Sequence, residues 1–214
     1  MQPVAGPAAS GNAVDVPELV SRLSDPDPLV RNSAGITLMN MASPTAAAAL
    51  LDEIRSMNCR PTWQSAPPTD AASSLRAMKQ WGQSPLVIIK KVLEKMAEND
   101  AAVRDLLVAS LSEQAACVRY VAAYALDSST DTAARTALET RAASGDVAVI
   151  SGAYRQYLGT NDRQMRVGLI WGIYSFDDPD MILAMSRCGD TRIENAADYM
   201  MRIKGIDLKP GAQR

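Results

Sequence analysis

The sequence predicts an all-α protein, a right-handed α-solenoid of about five or six helix pairs over residues 16–205. Three observations carry this expectation. Helix starts are marked by proline behind a capping residue, at Asp27-Pro28, Ser43-Pro44, Ser84-Pro85 and Asp178-Pro179, with Val16-Pro17 a weaker instance. Proline loses nothing there, because the first amide of a helix has no intrahelical partner and the Asp or Ser oxygen accepts from the next ones. Apolar residues recur at helical spacing and no segment sustains strict alternation, so essentially no sheet is expected. Finally, one register recurs: a cap, two residues, a branched aliphatic, three residues, then alanine or leucine.

Taken in order, residues 1–15 (MQPVAGPAASGNAVD) read as a flexible leader, without the basic start and apolar stretch of an export signal. Leu19, Val20 and Leu23 then fit a short helix, and Val30, Ala34, Leu38 and Met41 a longer one, across the turn Asp25–Pro28. Further helix pairs are expected at 44–57 with 71–81, 85–98 with 101–113, 115–126 with 132–143, 147–158 with 163–174, and 179–188 with 191–204. Thr191 to Glu194 has the spacing of a capping box, with Asp190 as a rival cap, and Asp70, Asp100, Asp146 and Asn161 are further caps. The recurring register opens at Asp27, Asp100, Asp146 and Asp190, with Val118 to Ala122 a partial fifth. Its aliphatic and small pair puts a packing stripe at the start of each inner helix. Residues 206–214 form a tail.

The composition narrows the chemistry. Histidine is absent, which removes Ser-His-Asp and Cys-His machinery and histidine metal sites. Gly-rich phosphate loops are also absent, and the acidic clusters Asp25/Asp27 and Asp177/Asp178/Asp180 sit at helix starts, where capping accounts for them. No catalytic constellation, metal site or cofactor site is therefore expected. The net charge of −2 gives no whole-molecule attraction to nucleic acid, and no apolar run approaches the length of a membrane span. Cys59, Cys117 and Cys188 are scattered and read first as small buried hydrophobes, with one bridge plus a free thiol the alternative for an exported chain. The compartment stays open between cytoplasm and periplasm.

The unit VPELVSRLSDPDPLVRNSAGITLMNMA, residues 16–42, resembles a HEAT repeat of the phycobilisome-lyase-like form: a short helix, an Asp-Pro turn and a Val-Arg pair opening the second helix. Val103-Arg104 and Val118-Arg119 repeat that pair, whereas the units at Asp146 and Asp190 lack the arginine directly after the aliphatic. The segment from Asp146 to Gly205 is similar to the end of bacterial HEAT-repeat proteins of unassigned activity. The resemblance implies a curved stack used as a protein-binding surface and does not imply an activity.

The expected function is thus a non-enzymatic scaffold for an unidentified protein partner. A nucleic-acid-binding HEAT protein is the alternative, and a lyase or chromophore-handling enzyme ranks below it. Arg31, Arg104 and Arg119 are expected to pair with aspartates of adjacent turns, such as Asp25, Asp27 or Asp100, with a basic ladder facing an acidic partner as the rival reading. Candidate partner contacts are Tyr154, Tyr157, Trp171 and Tyr174, from a local cluster that also holds Phe176, and Trp63. Trp63 and Cys59 lie in the proline-rich loop Asn58 to Asp70, and Cys59 beside Arg60 is a candidate reactive thiol.

Overall fold

The structure, a computed structural model, describes residues 15–57, 84–176 and 178–204. Every regular element among them is helical. In chain order they are α1 (Val16–Arg22), α2 (Pro28–Met41), α3 (Pro44–Ser56), α4 (Pro85–Asn99), α5 (Ala101–Ser110), α6 (Ala116–Leu126), α7 (Thr132–Ala143), α8 (Val147–Gly152), α9 (Tyr154–Tyr157), α10 (Arg163–Ser175), α11 (Pro179–Met185) and α12 (Thr191–Ile203).

Local capping sets most of the starts. Asp27, Ser43, Ser84 and Asp178 each precede a proline and accept from amides of the first turn, and Asp100 and Asp146 do the same without one. Asp190 takes the cap of α12 from Arg192 and Ile193, so it prevails over Thr191, while Glu194 reaches back to the amide of Gly189. Two starts differ from expectation. Asp162, not Asn161, caps α10, because its carboxylate is placed to accept from Met165. Asp15 stands at the start of α1, one residue before Val16.

Even-numbered helices form one row: α2 packs on α4, α4 on α6, α6 on α8, α8 on α10 and α10 on α12. A second row runs α1 on α3, α3 on α5 and α5 on α7, and the rows are joined by α1–α2, α3–α4, α5–α6, α7–α8, α9–α10 and α11–α12. The first unit matches the expected pair, and the later expected partners that are described also pack on one another, but the recurring register does not mark a single row. The register at Asp100 opens α5, which lies in the second row, whereas those at Asp27, Asp146 and Asp190 open helices of the first. A repeating cap and stripe fix how a helix begins but not which neighbours its stripe meets.

Helices of the first row approach closely where glycine allows it. A Cβ on Gly152 would lie 2.3 Å from the carbonyl oxygen of Tyr120, and one on Gly172 would lie on top of Ser151. These glycines set the tight α6–α8–α10 contacts. The expected helix 147–158 is divided at Ala153 (φ −85°, ψ 35°), and the turn directs Tyr154 and Arg155 at Tyr124. A continuous apolar core joins Leu23 and Leu38 at one end to Met200 and Met201 at the other.

The three arginines donate to backbone carbonyls, and one of them, Arg119, also makes the expected pair with an aspartate. Arg31 donates to the carbonyls of Asp25 and Pro26, Arg104 to that of Ala97 at 2.7 Å, and Arg119 to those of Glu113 and Gln114 at 2.8 Å. Each therefore satisfies free carbonyls where the preceding helix ends, which a forked guanidinium with several donors can do and a carboxylate cannot. Arg119 adds an ion pair with Asp146 at 2.8 Å, tying α6 to the start of α8. Cys117 is disulfide-bonded, which corrects the reading of all three cysteines as unpaired hydrophobes, and Cys188 is the free thiol. Cys59, Trp63 and the loop that carries them lie outside the described residues, as do residues 1–14 and 205–214.

Candidate functional site

Two places in the described chain concentrate chemically capable side chains. The first is buried. Lys90 of α4, Tyr120 of α6 and Asp178 at the start of α11 have 0 % exposure. Lys90 lies on the apolar stripe of α4, three residues after Val87 and three before Leu93, so the helix that buries those residues carries the ammonium inward. Asp178 arrives from the other end of the chain: one carboxylate oxygen caps α11, and the other accepts from both Lys90 Nζ and Tyr120 Oη. The ring of Tyr120 stacks on Phe176 at 4.3 Å, and Lys90 Nζ sits 4.3 Å above the ring of Tyr124. The ammonium is thereby matched by a carboxylate and a π face.

Asp180 lies 3.4 Å from Lys90 and 2.9 Å from Lys91. Burial pushes its carboxyl up, but the two lysines outweigh this and hold it below the ordinary range. Burial, reinforced by Asp178, pushes the Tyr120 phenol well above its ordinary value. In an accessible site a carboxylate between an ammonium and a phenol would serve proton transfer. Here the three groups have no exposed surface, and what they do is hold the α10–α11 link against α4 and α6.

Arg155 extends the network. It stacks 4.6 Å from the centroid of Tyr124, pairs with Glu94 at 2.9 Å and lies 2.7 Å from Asp127. Burial works against the guanidinium charge, but Asp127 and Glu94 prevail and raise its pKa. At Asp127 burial pushes the carboxyl up to about 6, outweighing the Arg155 charge and the Arg155 and Gln156 groups that work to lower it.

The second place is a surface. Val167, Trp171 and Tyr174 follow at i, i+4 and i+7 on α10, and Tyr174 meets Tyr199 of α12 edge to face at 6.3 Å. Trp171 is 59 % and Tyr199 56 % exposed, and Val167 is exposed beside them. Large aromatic rings held in water by packed helices are what an interface anchor requires. Toward the helix starts the same face carries Arg163, Arg166 and Arg192, with Arg166 loosely paired to Asp190 at 3.9 Å. A cleft of about 320 Å³ between Arg166, Asp190, Thr191 and Arg192 marks that end.

The predicted contact residues thus separate. Trp171 and Tyr174 share the exposed face. Tyr154 is 6 % exposed and packs on Tyr124, and Tyr157 is half-buried with its hydroxyl lacking a hydrogen-bond partner among the described residues. Sequence reasoning did not single out Tyr199, whose position on the polar stripe of α12, seven residues after Arg192, was the available signal. Lys90 was likewise passed over, although a lysine in register with Val87, Leu93 and Ala97 marks a buried charge. Among the described residues no helix is long and apolar enough to cross a membrane, and no group of side chains is arranged to hold a metal. No protein-family model, curated protein or solved structure matches the chain.

Proposed function

We propose that the chain is a HEAT-like α-solenoid, a right-handed stack of helix pairs, acting as a non-enzymatic scaffold that binds a protein partner through the face shared by α10 and α12. The observation that carries this reading is the exposure of Trp171 and Tyr199 on adjacent helices of one row. Leaving two large rings in water has an apolar cost that a partner would relieve. The row arrangement of the helices and the Val-Arg pairs at 30–31, 103–104 and 118–119 support the repeat assignment.

A nucleic-acid partner is disfavoured by where the lysines are spent. Lys90 is buried against Asp178, Lys91 pairs with Asp180 and Lys95 with Glu98, so the basic run of α4 is neutralised within the chain. The test is affinity capture with the full chain and with a W171A/Y199A variant of matched helicity, quantified by mass spectrometry. A protein retained by the parent and lost by the variant is the expected result. Identical retention by both would overturn the assignment of this face.

A further inference from the structure

We infer that the α10/α12 face takes an acidic peptide segment that carries a bulky apolar side chain a few residues from its carboxylates, an inference that rests on the function proposed above. The face has two chemically distinct ends. Arg163, Val167, Trp171 and Tyr174 fall on one stripe of α10, and Arg192, Asn195 and Tyr199 fall on one stripe of α12. The contacts Arg166–Asp190 and Tyr174–Tyr199 align the helices in parallel, start beside start. The guanidinium groups therefore gather at one end and the rings at the other.

The carboxylates near the cationic end are turned into the helix ends. Asp162 accepts from the amide of Met165, Asp190 from those of Arg192 and Ile193, and Glu194 from that of Gly189. Neither stripe carries an acidic residue. Arg163 and Arg192 have no ion-pair partner among the described residues, and both are exposed. A planar guanidinium with free donors selects carboxylate by paired, charge-assisted hydrogen bonds. The cleft bounded by Arg166, Asp190, Thr191 and Arg192 gives that anionic group a recess in which Asp190 is committed to its helix cap and to Arg166. An apolar residue of the partner then meets Trp171, Tyr174 and Tyr199.

The spacing of the two ends sets the spacing in the partner. Eight residues of α10 separate Arg163 from Trp171, which at ~1.5 Å per residue is ~12 Å. An extended peptide covers that span in about four residues at ~3.3 Å each. The fitting segment has Asp or Glu clustered about four positions from Leu, Phe or Trp.

The experiment is fluorescence anisotropy on the full chain with fluorescein-labelled peptides. The probe carries three consecutive Asp/Glu and, four residues on, Leu-Phe. Controls replace the acids by Asn/Gln, the acids by Lys, or Leu-Phe by Ala-Ala, and a labelled single-stranded oligonucleotide completes the set. The probe is expected to bind, each peptide control to weaken binding about tenfold or more, and added salt to weaken the probe far more than its Asn/Gln form. W171A and R163Q/R192Q, all exposed substitutions that leave helicity unchanged, are each expected to weaken the probe about tenfold. Equal binding of the neutral peptide, insensitivity to these variants, preference for the oligonucleotide, or no peptide binding at all would overturn the inference. Loss of a captured protein by W171A/Y199A without any peptide binding would leave the proposed face standing and remove only the acidic occupant.

Discussion

Replacing Asp178 by alanine removes the carboxylate from an ammonium that has no exposed surface. Deleting one partner of a fully buried ion pair leaves a buried charge uncompensated, which costs about 3–5 kcal/mol. Asp180, 3.4 Å from Lys90, recovers part of it. The substitution also removes the cap of α11, about 1 kcal/mol, and the acceptor of the buried Tyr120 hydroxyl, about 1–3 kcal/mol. A net loss of about 5 kcal/mol follows, within the range measured when one partner of a buried pair is deleted.

Urea denaturation followed by far-ultraviolet circular dichroism and by tyrosine fluorescence reads this loss directly. A Lys90→Met/Asp178→Asn double variant keeps the cap without a buried charge and should be more stable than Asp178→Ala alone. A deficit under about 1 kcal/mol would refute the reasoning.

Two further expectations concern the same packed row. Asp127 is pushed up to about 6, so its ionisation destabilises the fold, with the cost absent below about pH 4 and complete above about pH 6. Asp127→Asn should raise stability at pH 7 by up to about 3 kcal/mol and flatten the parent's decline between pH 4 and 6, as measured by urea midpoints across that window. Gly152→Ala gains about 1 kcal/mol of helix propensity but drives a methyl against the backbone of Tyr120, and a net loss of about 1–3 kcal/mol should appear as a lower Tm in calorimetry.

What the sequence made legible was local. Asp27, Ser43, Ser84 and Asp178 announce helix starts because a cap and a following proline act within one turn. Asp162 displaced Asn161 because two adjacent caps differ only in how the backbone presents them. The break at Ala153 was not legible, since Val147 to Leu158 keeps helical spacing and the turn serves contacts with Tyr124 on another helix. The Lys90–Asp178 pair joins residues 88 apart, and in isolation the aspartate read only as a cap. The aromatic cluster likewise held two fates: Tyr154 and Phe176 turn inward onto Tyr124 and Tyr120, while Trp171 turns outward. Helical angle within α10 separates Trp171 from the core, but only the position of α8, pressed onto Gly168 and Gly172, shows which side is free.

The most direct test of the proposed function is hydrogen exchange on the full chain, alone and saturated with the protein it captures. Slowed exchange over 163–175 and 191–203, with the remaining helices unchanged, is the predicted result. Protection confined to other helices, or no change along α10 and α12, would contradict it.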